Sequence, residues 1–188
     1  MFKQFIFLKL FLLAGIVPAL VAAAQESPDD VIAVRDKLNR ALGAVENSED
    51  KDTIKTRLST LADIWLFSSD ILPEDKLCET YTVKSGDTLS KIGQRYKVPY
   101  EILLEINKIK DAKSLQAGRK IKVINGPFNA KINRSTFTLD LYLQKTFVRS
   151  FPVCIGKQDT PTPTGLWRVE PKGKMIKPPW YDEHENKT

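Results

Sequence analysis

One stretch of the chain, from Glu79 to Ile124, constrains the fold most because it holds four local signals in a short span. It begins with a β-rich run at Thr80 to Val83, and the turn residues of Ser85 to Thr88 follow directly. Apolar side chains then recur at helical spacing on both sides of a break at Val98-Pro99. They are Leu89, Ile92 and Tyr96 before the break, and Ile102, Leu103 and Ile106 after it. Since charged and apolar residues alternate from Arg119 to Ile124, as in a half-buried strand, the stretch predicts the order β-α-α-β.

These residues resemble a LysM domain, a small module that binds glycans containing N-acetylglucosamine. The matching motifs are Tyr81-Thr82-Val83 with Gly86-Asp87-Thr88-Leu89, Ile92-Gly93 with Tyr96, Asn107 at the end of the second helix, and Leu115 with Gly118 before the last strand. The resemblance covers residues 79–125. It implies peptidoglycan or a chitin-type glycan as the ligand.

The resemblance places the glycan contacts on two loops that form a shallow groove in the family. The expected contact residues are Ser85, Gly86, Asp87 and Thr88 on the first loop, and Lys108, Ile109, Lys110, Ser114, Leu115 and Gln116 on the second. In the family, backbone groups of these loops match acetamido and hydroxyl groups, and small apolar side chains meet the N-acetyl methyl group. Gly86 permits close approach of the backbone. Asp87 and Thr88 can also cap the first helix, and we expect capping to be the main role of Asp87.

The first residues of the chain predict export. A basic start is followed by an apolar run from Phe5 to Val21 and by the small residues Ala22-Ala23-Ala24, so residues 1–24 have the pattern of a signal peptide. An uncleaved membrane anchor is the alternative, but Lys9 and Pro18 inside the run favour cleavage. No later stretch is long enough to span a bilayer. We therefore expect the mature protein in the periplasm or cell wall, without an integral membrane segment and without a nucleic acid partner.

The net charge of +6 is unevenly distributed along the chain. Residues 25–78 contain 7 basic and 12 acidic residues, residues 79–125 contain 10 and 5, and residues 126–188 contain 10 and 6. A basic module outside the cytoplasm suits an anionic polymer such as a cell wall. A solvated face that keeps the module soluble explains the same counts, and both interpretations stay open here.

Residues 25–78 predict a helical hairpin and a linker. The hairpin follows from two apolar stripes at helical spacing, with Ser27-Pro28-Asp29-Asp30 as the helix start and a polar break at Glu46 to Asp52. The stripes are Val31, Val34, Leu38, Leu42 and Val45, and then Ile54, Leu58, Leu61 and Trp65. Ser68 to Lys76 reads as a polar linker. The hairpin is either a self-packed cap or an interaction or spacer module, and none of its polar residues suggests chemistry.

After Gly126-Pro127 the chain becomes β-rich. Strands are predicted at Phe128 to Ile132, Thr136 to Leu143, Thr146 to Ile155 and Leu166 to Val169. In the second run the apolar Phe137, Leu139, Leu141 and Leu143 alternate with polar residues, which predicts one buried face. The fold class is therefore α+β and multidomain: a helical hairpin, a β-α-α-β LysM domain, and an incomplete antiparallel β meander or sandwich.

This β-rich part resembles the opening of an L,D-transpeptidase catalytic domain, which implies a partial domain at residues 126–188. The matching segments are Leu139 to Leu143, Phe151 to Lys157, Thr162-Pro163-Thr164-Gly165 and Pro178-Pro179-Trp180-Tyr181. Such enzymes cross-link peptidoglycan through a cysteine nucleophile and a histidine, and both motifs belong to the second half of the domain, past Thr188. The resemblance therefore implies glycan binding for this chain and assigns no catalytic residue, no cofactor and no metal.

The two cysteines and the single histidine offer no substitute for those motifs. Cys154 lies on a predicted strand where the family has no nucleophile, Cys78 lies outside the β-rich part, and His184 is in a polar tail. We expect a buried free thiol at Cys154, although a disulfide with Cys78 is permitted in an exported protein. Two alternatives remain. In the first, the chain is a short, non-catalytic wall-binding or structural module whose β meander is completed by a partner. In the second, Cys154 and His184 catalyse a reaction together.

Overall fold

A computed structural model describes residues 31–157 and 159–167 of the chain. Its helices are α1 (Val31–Ala44), α2 (Ser48–Trp65), α3 (Leu89–Tyr96) and α4 (Tyr100–Ile106), with a 3-10 turn at Ala112–Ser114. Its strands are β1 (Cys78–Thr82), β2 (Lys120–Ile124), β3 (Phe128–Asn133), β4 (Thr138–Leu143) and β5 (Thr146–Pro152). The predicted α+β class is confirmed, whereas the domain boundaries stay predictions.

The predicted signal peptide at residues 1–24 and the helix start at 27–30 lie outside the described residues. Within the described ranges, no helix combines the length and apolar character that crossing a bilayer requires.

The helical hairpin is built from α1 and α2, whose apolar stripes face each other. Buried side chains include Val31, Leu38, Ile54, Leu58, Leu61 and Trp65. The polar break predicted at 46–52 is too long, because α2 already begins at Ser48. Asn47 caps the helix by accepting a 3.2 Å hydrogen bond from the Glu49 N–H. This cap and the acidic residues of the first turn stabilise a helix start that carries no apolar signal.

The β-α-α-β unit predicted from the sequence is present. β1 pairs antiparallel with β2, from Cys78 opposite Ile124 to Thr82 opposite Lys120. The helices α3 and α4 supply Leu89, Ile92, Leu103 and Ile106 to a core that β2 completes. A Cβ atom at Gly93 would lie 2.7 Å from the Val98 carbonyl oxygen, so the close turn between the two helices requires glycine there.

Lys122 departs from the alternation predicted for the last strand of this unit. Its side chain is buried, with 2% of the residue exposed, and four consecutive residues of β2 are buried. The Lys122 ammonium donates to the carbonyl oxygens of Trp65 at 2.6 Å, Ser68 at 3.1 Å and Asp70 at 2.6 Å. These carbonyls lie at and just beyond the C-terminus of α2, where helical carbonyls lack partners. The Lys122 side chain, which the alternation assigned to solvent, is thus buried against the end of α2 and the segment after it, and burial lowers the pKa of Lys122.

The segment predicted as a polar linker, residues 68–76, also contains a buried charge. Asp75 accepts a 2.8 Å hydrogen bond from Nη1 of Arg35, and both side chains are almost fully buried. The Arg35 guanidinium lies 4.5 Å from the ring centroid of Trp65, and Asp75 also accepts from the Leu77 N–H at 3.0 Å. The linker is therefore fixed to both helices of the hairpin just before β1 begins.

The last three strands form an antiparallel meander in the order β3-β4-β5, packed against α2. Lys55 of α2 donates to Oδ2 of Asp140 at 2.8 Å, and Asn133 and Ser150 donate to the same carboxylate. At the edge strand β5, the Phe147 N–H donates to Oδ1 of Asn39 at 2.8 Å. The hairpin therefore covers part of this sheet as well as the β-α-α-β unit.

Several expectations for the β-rich part are wrong in detail. The predicted buried face begins at Phe137, but this residue is 54% exposed with a φ of 53°, and β4 begins only at Thr138. The polar Asp140 is buried instead, because Lys55 neutralises it from the hairpin. Ile132 and Phe151 are exposed, and both lie opposite Leu139 on the neighbouring strands. These three residues form a row across the sheet whose apolar surface is partly exposed to solvent.

The predicted third strand of the sheet is too long, and the fourth is absent where it can be described. β5 ends at Pro152, so Cys154 lies beyond the strand, as an exposed free thiol and not a buried one. Leu166 and Trp167 belong to no strand and are exposed, and residues 168–169 lie outside the described part. Cys78 is a buried free thiol, so no disulfide joins the two cysteines.

Replacing Lys122 with Met will test how strongly the hairpin is held to β2. Met keeps the apolar stem but leaves three carbonyls without this donor, so we expect the free energy of unfolding to fall by about 2–4 kcal/mol in urea denaturation. Lys120→Met is the matched control, because Lys120 is exposed on the same strand. A K122M protein as stable as K120M would show that the ammonium contributes nothing.

Candidate glycan-binding site

The first predicted loop is a tight turn between β1 and α3. The Asp87 N–H donates to the Lys84 carbonyl oxygen at 3.1 Å, and Gly86 adopts a φ of 79°, as the third residue of a type II turn does. A Cβ atom built on Gly86 would meet nothing within 4 Å. Glycine is therefore required by the backbone conformation, and the space above it is open to a ligand.

Asp87 closes this turn and does not cap the helix. Its Oδ2 atom accepts hydrogen bonds from the Lys84 N–H at 2.8 Å and from the Tyr81 hydroxyl at 2.7 Å. The hydrogen bond from Tyr81, followed by the one from the backbone, holds the pKa of Asp87 below its usual value. The capping role expected for Asp87 is thus wrong, whereas Thr88 is confirmed as the N-cap because its hydroxyl accepts from the Lys91 N–H at 3.2 Å.

Two tyrosines and an arginine that sequence reasoning did not select support the turn. Nη1 of Arg95 donates to the Tyr81 hydroxyl at 2.7 Å, and its guanidinium lies 5.5 Å from the Tyr81 ring centroid. The Tyr96 ring packs edge-on against Tyr81 at 6.0 Å and its hydroxyl donates to Glu79 at 2.7 Å. Burial, followed by Glu79, raises the pKa of Tyr96 to about 12. The signal for these residues was present, since Tyr81 and Tyr96 belong to the motifs that carry the resemblance.

The second predicted loop presents mainly its backbone and its lysines. Lys108 has a φ of 51°, and the Ile109 N–H closes the end of α4 by donating to the Leu104 carbonyl oxygen at 2.9 Å. Ile109 is only 6% exposed, so its side chain belongs to the core. A ligand at this position can therefore reach the backbone of Ile109 and the exposed side chains of Lys108 and Lys110.

The structure brings the two loops together through a strand end. The Val83 N–H donates to the Arg119 carbonyl oxygen at 2.9 Å, and the Gly118 N–H donates to the Val83 carbonyl oxygen at 2.8 Å. The turn after Gln116 therefore lies beside the turn that begins at Lys84. Gly118 has a φ of 84° and open space where a Cβ would lie, so it repeats the features of Gly86. Sequence reasoning used Gly118 only as a motif residue and omitted it from the site.

Asn107 connects the remaining part of the second loop to β2. Its side chain accepts from the Lys122 N–H at 2.7 Å and donates to the Lys122 carbonyl oxygen at 2.9 Å. Its own carbonyl oxygen accepts from Nη2 of Arg119 at 3.4 Å. The loop that begins at Lys108 is thus anchored to the same strand that follows Gly118.

The predicted contact residues differ in what they expose. Ser85, Gly86, Thr88, Lys108, Lys110, Ser114 and Gln116 are exposed, Asp87 and Leu115 are half-buried, and Ile109 is buried. The surface therefore offers backbone groups, short hydroxyls and lysines around two glycines. Such a set suits hydrogen bonding to a neutral polar ligand and provides no nucleophile with a base. Its role in glycan binding stays a prediction.

The two cysteines lie in different surroundings within the described residues. Burial, followed by the nearby Asp75, raises the pKa of the Cys78 thiol to about 12, which suppresses the thiolate at neutral pH. Cys154 is exposed in the segment after β5, and His184 lies outside the described residues. No arrangement for cysteine catalysis is therefore observed in residues 31–157 and 159–167.

Comparisons with known proteins agree with both resemblances. The LysM domain family model matches residues 81–123, which confirms a LysM domain in this chain. A curated protein of Bacillus subtilis (strain 168) named "Putative L,D-transpeptidase YkuD" is 36% identical over 97 residues, which cover 48% of this chain and 58% of that protein. Its namesake from Bacillus licheniformis is 30% identical over 92 residues, covering 45% and 55%. The chain thus spans little more than half the length of these relatives.

One solved structure shares a weaker likeness. It is described as a MoCVNH3 variant in complex with (N-GlcNAc)4, is 20% identical and covers 40% of this chain and 54% of its own, with a TM-score of 0.26. A TM-score this low bears on neither fold nor function.

Replacing Asp87 with Asn will test the turn. Because the folded state lowers the pKa of Asp87, its stabilising effect is present above the unfolded pKa of about 3.9 and is lost as the pH falls through the folded value. We expect D87N to be less stable than the wild type at pH 7 and equal to it near pH 2, in urea denaturation at both pH values. Asp159→Asn, at an exposed loop position, is the control. A D87N deficit that persists undiminished in acid would contradict the charge-based role.

Proposed function

We propose that this chain, which contains a LysM domain, is exported and binds wall glycan through the groove between its two loops. The observation that carries the proposal is the pair Gly86 and Gly118. Both have positive φ and open space at the Cβ position, and the backbone of Val83 joins their turns. Two glycine turns side by side let a sugar chain approach the backbone closely.

The polar groups around these glycines match the chemistry of N-acetylglucosamine. Acetamido and hydroxyl groups need hydrogen-bond donors and acceptors, which the exposed backbone and the hydroxyls of Ser85 and Ser114 supply. Leu115 is half-buried and offers an apolar contact for an acetyl methyl group. Tyr81 and Asp87 hold the first turn before any ligand arrives, which reduces the entropy cost of binding.

Peptidoglycan is the proposed partner, and the periplasm or cell wall is the proposed location. The signal-peptide pattern of residues 1–24 supports export, and the LysM domain supports a wall-associated role. Chitin-type glycan contains the same sugar and is the alternative ligand for the same groove.

We further propose that this protein is of the L,D-transpeptidase type, whose activity is peptidoglycan cross-linking. The residues of this chain would contribute glycan binding to that activity. The similarity to the two YkuD proteins supports this proposal, as do the motifs along β4, β5 and the segment after it. The hairpin joins the LysM domain to the sheet through Lys122 on one side and Lys55 on the other. Binding of glycan at the groove would therefore hold the sheet at a fixed distance from the wall.

Replacing Ser85 with Trp will test the groove. A bulky side chain at this exposed turn position blocks access to Gly86, so we expect the dissociation constant on purified insoluble peptidoglycan to rise by about tenfold or more. Retention is measured by sedimentation with increasing amounts of peptidoglycan.

Lys145→Trp is the matched control, because Lys145 is exposed in the turn between β4 and β5. The neighbouring Gln144 contacts Asn125, at the end of β2 opposite the two groove loops. Retention of K145W should equal that of the wild type. Equal retention of S85W and K145W would refute the proposed groove, and absence of wild-type retention would refute glycan binding.

Replacing Cys154 with Ser will test the alternative that this thiol is a nucleophile. Cys154 is exposed beyond the end of β5, where L,D-transpeptidases are expected to have no nucleophile. We expect amine exchange into a stem tetrapeptide, measured by mass spectrometry, to stay at the protein-free background with C154S and with the wild type alike. A loss of rate on substitution would establish Cys154 as catalytic and reverse the assignment.

A further inference from the structure

We propose that Lys84, Lys91, Lys108 and Arg119 form a cationic rim around the glycan groove, which makes the LysM domain bind anionic wall glycan in preference to neutral N-acetylglucosamine polymers. This inference rests on the proposed glycan binding and adds the charge of the preferred ligand. The anionic groups concerned are carboxylates of peptidoglycan or phosphates of polymers attached to it, which share the same recognition chemistry.

The position of the rim follows from contacts on both loops. Lys84 begins the first turn, and Nζ of Lys91 donates to the Gly86 carbonyl oxygen at 3.1 Å, which brings its ammonium to the same turn. On the other side Nη2 of Arg119 donates to the Asn107 carbonyl oxygen, so its guanidinium lies beside the residue that precedes Lys108. The four cations therefore flank Gly86 and the start of the second loop, instead of being scattered over the domain.

Three of the five carboxylates of the same domain accept hydrogen bonds from other groups of the domain. Residues 79–125 contain 10 basic and 5 acidic residues. Asp87 accepts from Tyr81 and Lys84 N–H, Glu79 accepts from Tyr96, and Asp111 caps the 3-10 turn through the Lys113 N–H. Each of these carboxylates therefore accepts a hydrogen bond from a group other than a side-chain cation of the rim.

The ion pairs seen in the described ranges lie on the hairpin and the sheet. They are Arg35–Asp36, Arg35–Asp75, Lys55–Asp140 and Arg149–Asp63. None of these pairs includes Lys84, Lys91, Lys108 or Arg119, although the Asp87 carboxylate in the first turn is close enough to Lys84 for their charges to attract each other. Exposed charges of this kind attract anions over about 10 Å at 0.1 M salt and over about 3 Å at 1 M salt, so the preference must depend on ionic strength.

The inference is tested with the whole mature protein and three insoluble glycans: intact cell wall, peptidoglycan stripped of phosphate polymers, and chitin. Binding isotherms are measured at about 0.05 M and about 0.5 M NaCl, which span strong and weak screening. We expect the dissociation constant for wall or peptidoglycan to rise about tenfold with salt, while the constant for chitin stays unchanged. Salt dependence on stripped peptidoglycan identifies carboxylates, and salt dependence on intact wall alone identifies phosphates.

A charge-matched pair of triple variants assigns the effect to the rim. Lys84→Gln/Lys91→Gln/Arg119→Gln leaves one rim cation, Lys108, and should lower affinity for the anionic glycan about tenfold at low salt and weaken the salt dependence, with chitin binding retained. Lys131→Gln/Arg134→Gln/Lys145→Gln changes the net charge equally, at exposed positions of the β meander, and should behave as the wild type.

The outcomes separate this inference from the proposed function. Salt-independent binding of all three glycans, intact wall included, or equal losses in the two triple variants, would overturn the cationic rim and leave glycan binding intact. Absence of binding to every glycan at both salt concentrations would overturn the proposed function itself, and the rim with it.

Discussion

The buried ammonium of Lys122 is the interaction on which the arrangement of this protein depends. Removing a charge from water is costly, and here the cost is offset by three backbone carbonyls at the end of α2. The Trp65 carbonyl lies at the C-terminus of α2, where helical carbonyls lack intrahelical partners, and the Ser68 and Asp70 carbonyls lie in the segment just after it. Because Lys122 lies in β2 and its backbone is held by Asn107, this single side chain joins the hairpin to the centre of the LysM domain.

The hairpin has a second set of contacts, and this decides between the interpretations that its sequence left open. Lys55 reaches the buried Asp140, and Asn39 satisfies the Phe147 N–H at the edge of the sheet. A self-packed cap would not provide partners for buried polar groups on two neighbouring units. The hairpin therefore contacts both the β-α-α-β unit and the β meander, as the predicted interaction or spacer module would.

Sequence reasoning succeeded where a local signal determines the structure. The helical spacing on both sides of Val98-Pro99 predicted α3 and α4, and Thr88 caps α3 as its residue type suggests. It failed where a partner distant in sequence decides the outcome. Asp87 does not cap the helix because the Tyr81 hydroxyl and the Lys84 N–H donate to its carboxylate. The Ile109 side chain is buried in the core, so its backbone alone stays available to a ligand. The pattern of neighbouring residues shows neither the partner of Asp87 nor the burial of Ile109.

The sequence by itself determined the β-α-α-β order, the LysM motifs, the two glycines of the loops and the excess of basic residues, because each depends on neighbouring residues or on composition. Only the tertiary structure decided that Lys122 and Asp140 are buried and that Gly118 lies beside the turn of Gly86. Burial of a charge depends on a partner that the fold brings from far along the chain: 57 positions separate Lys122 from Trp65, and 85 separate Asp140 from Lys55. No periodicity in a short window contains that information, since alternation alone assigns every lysine of a strand to solvent.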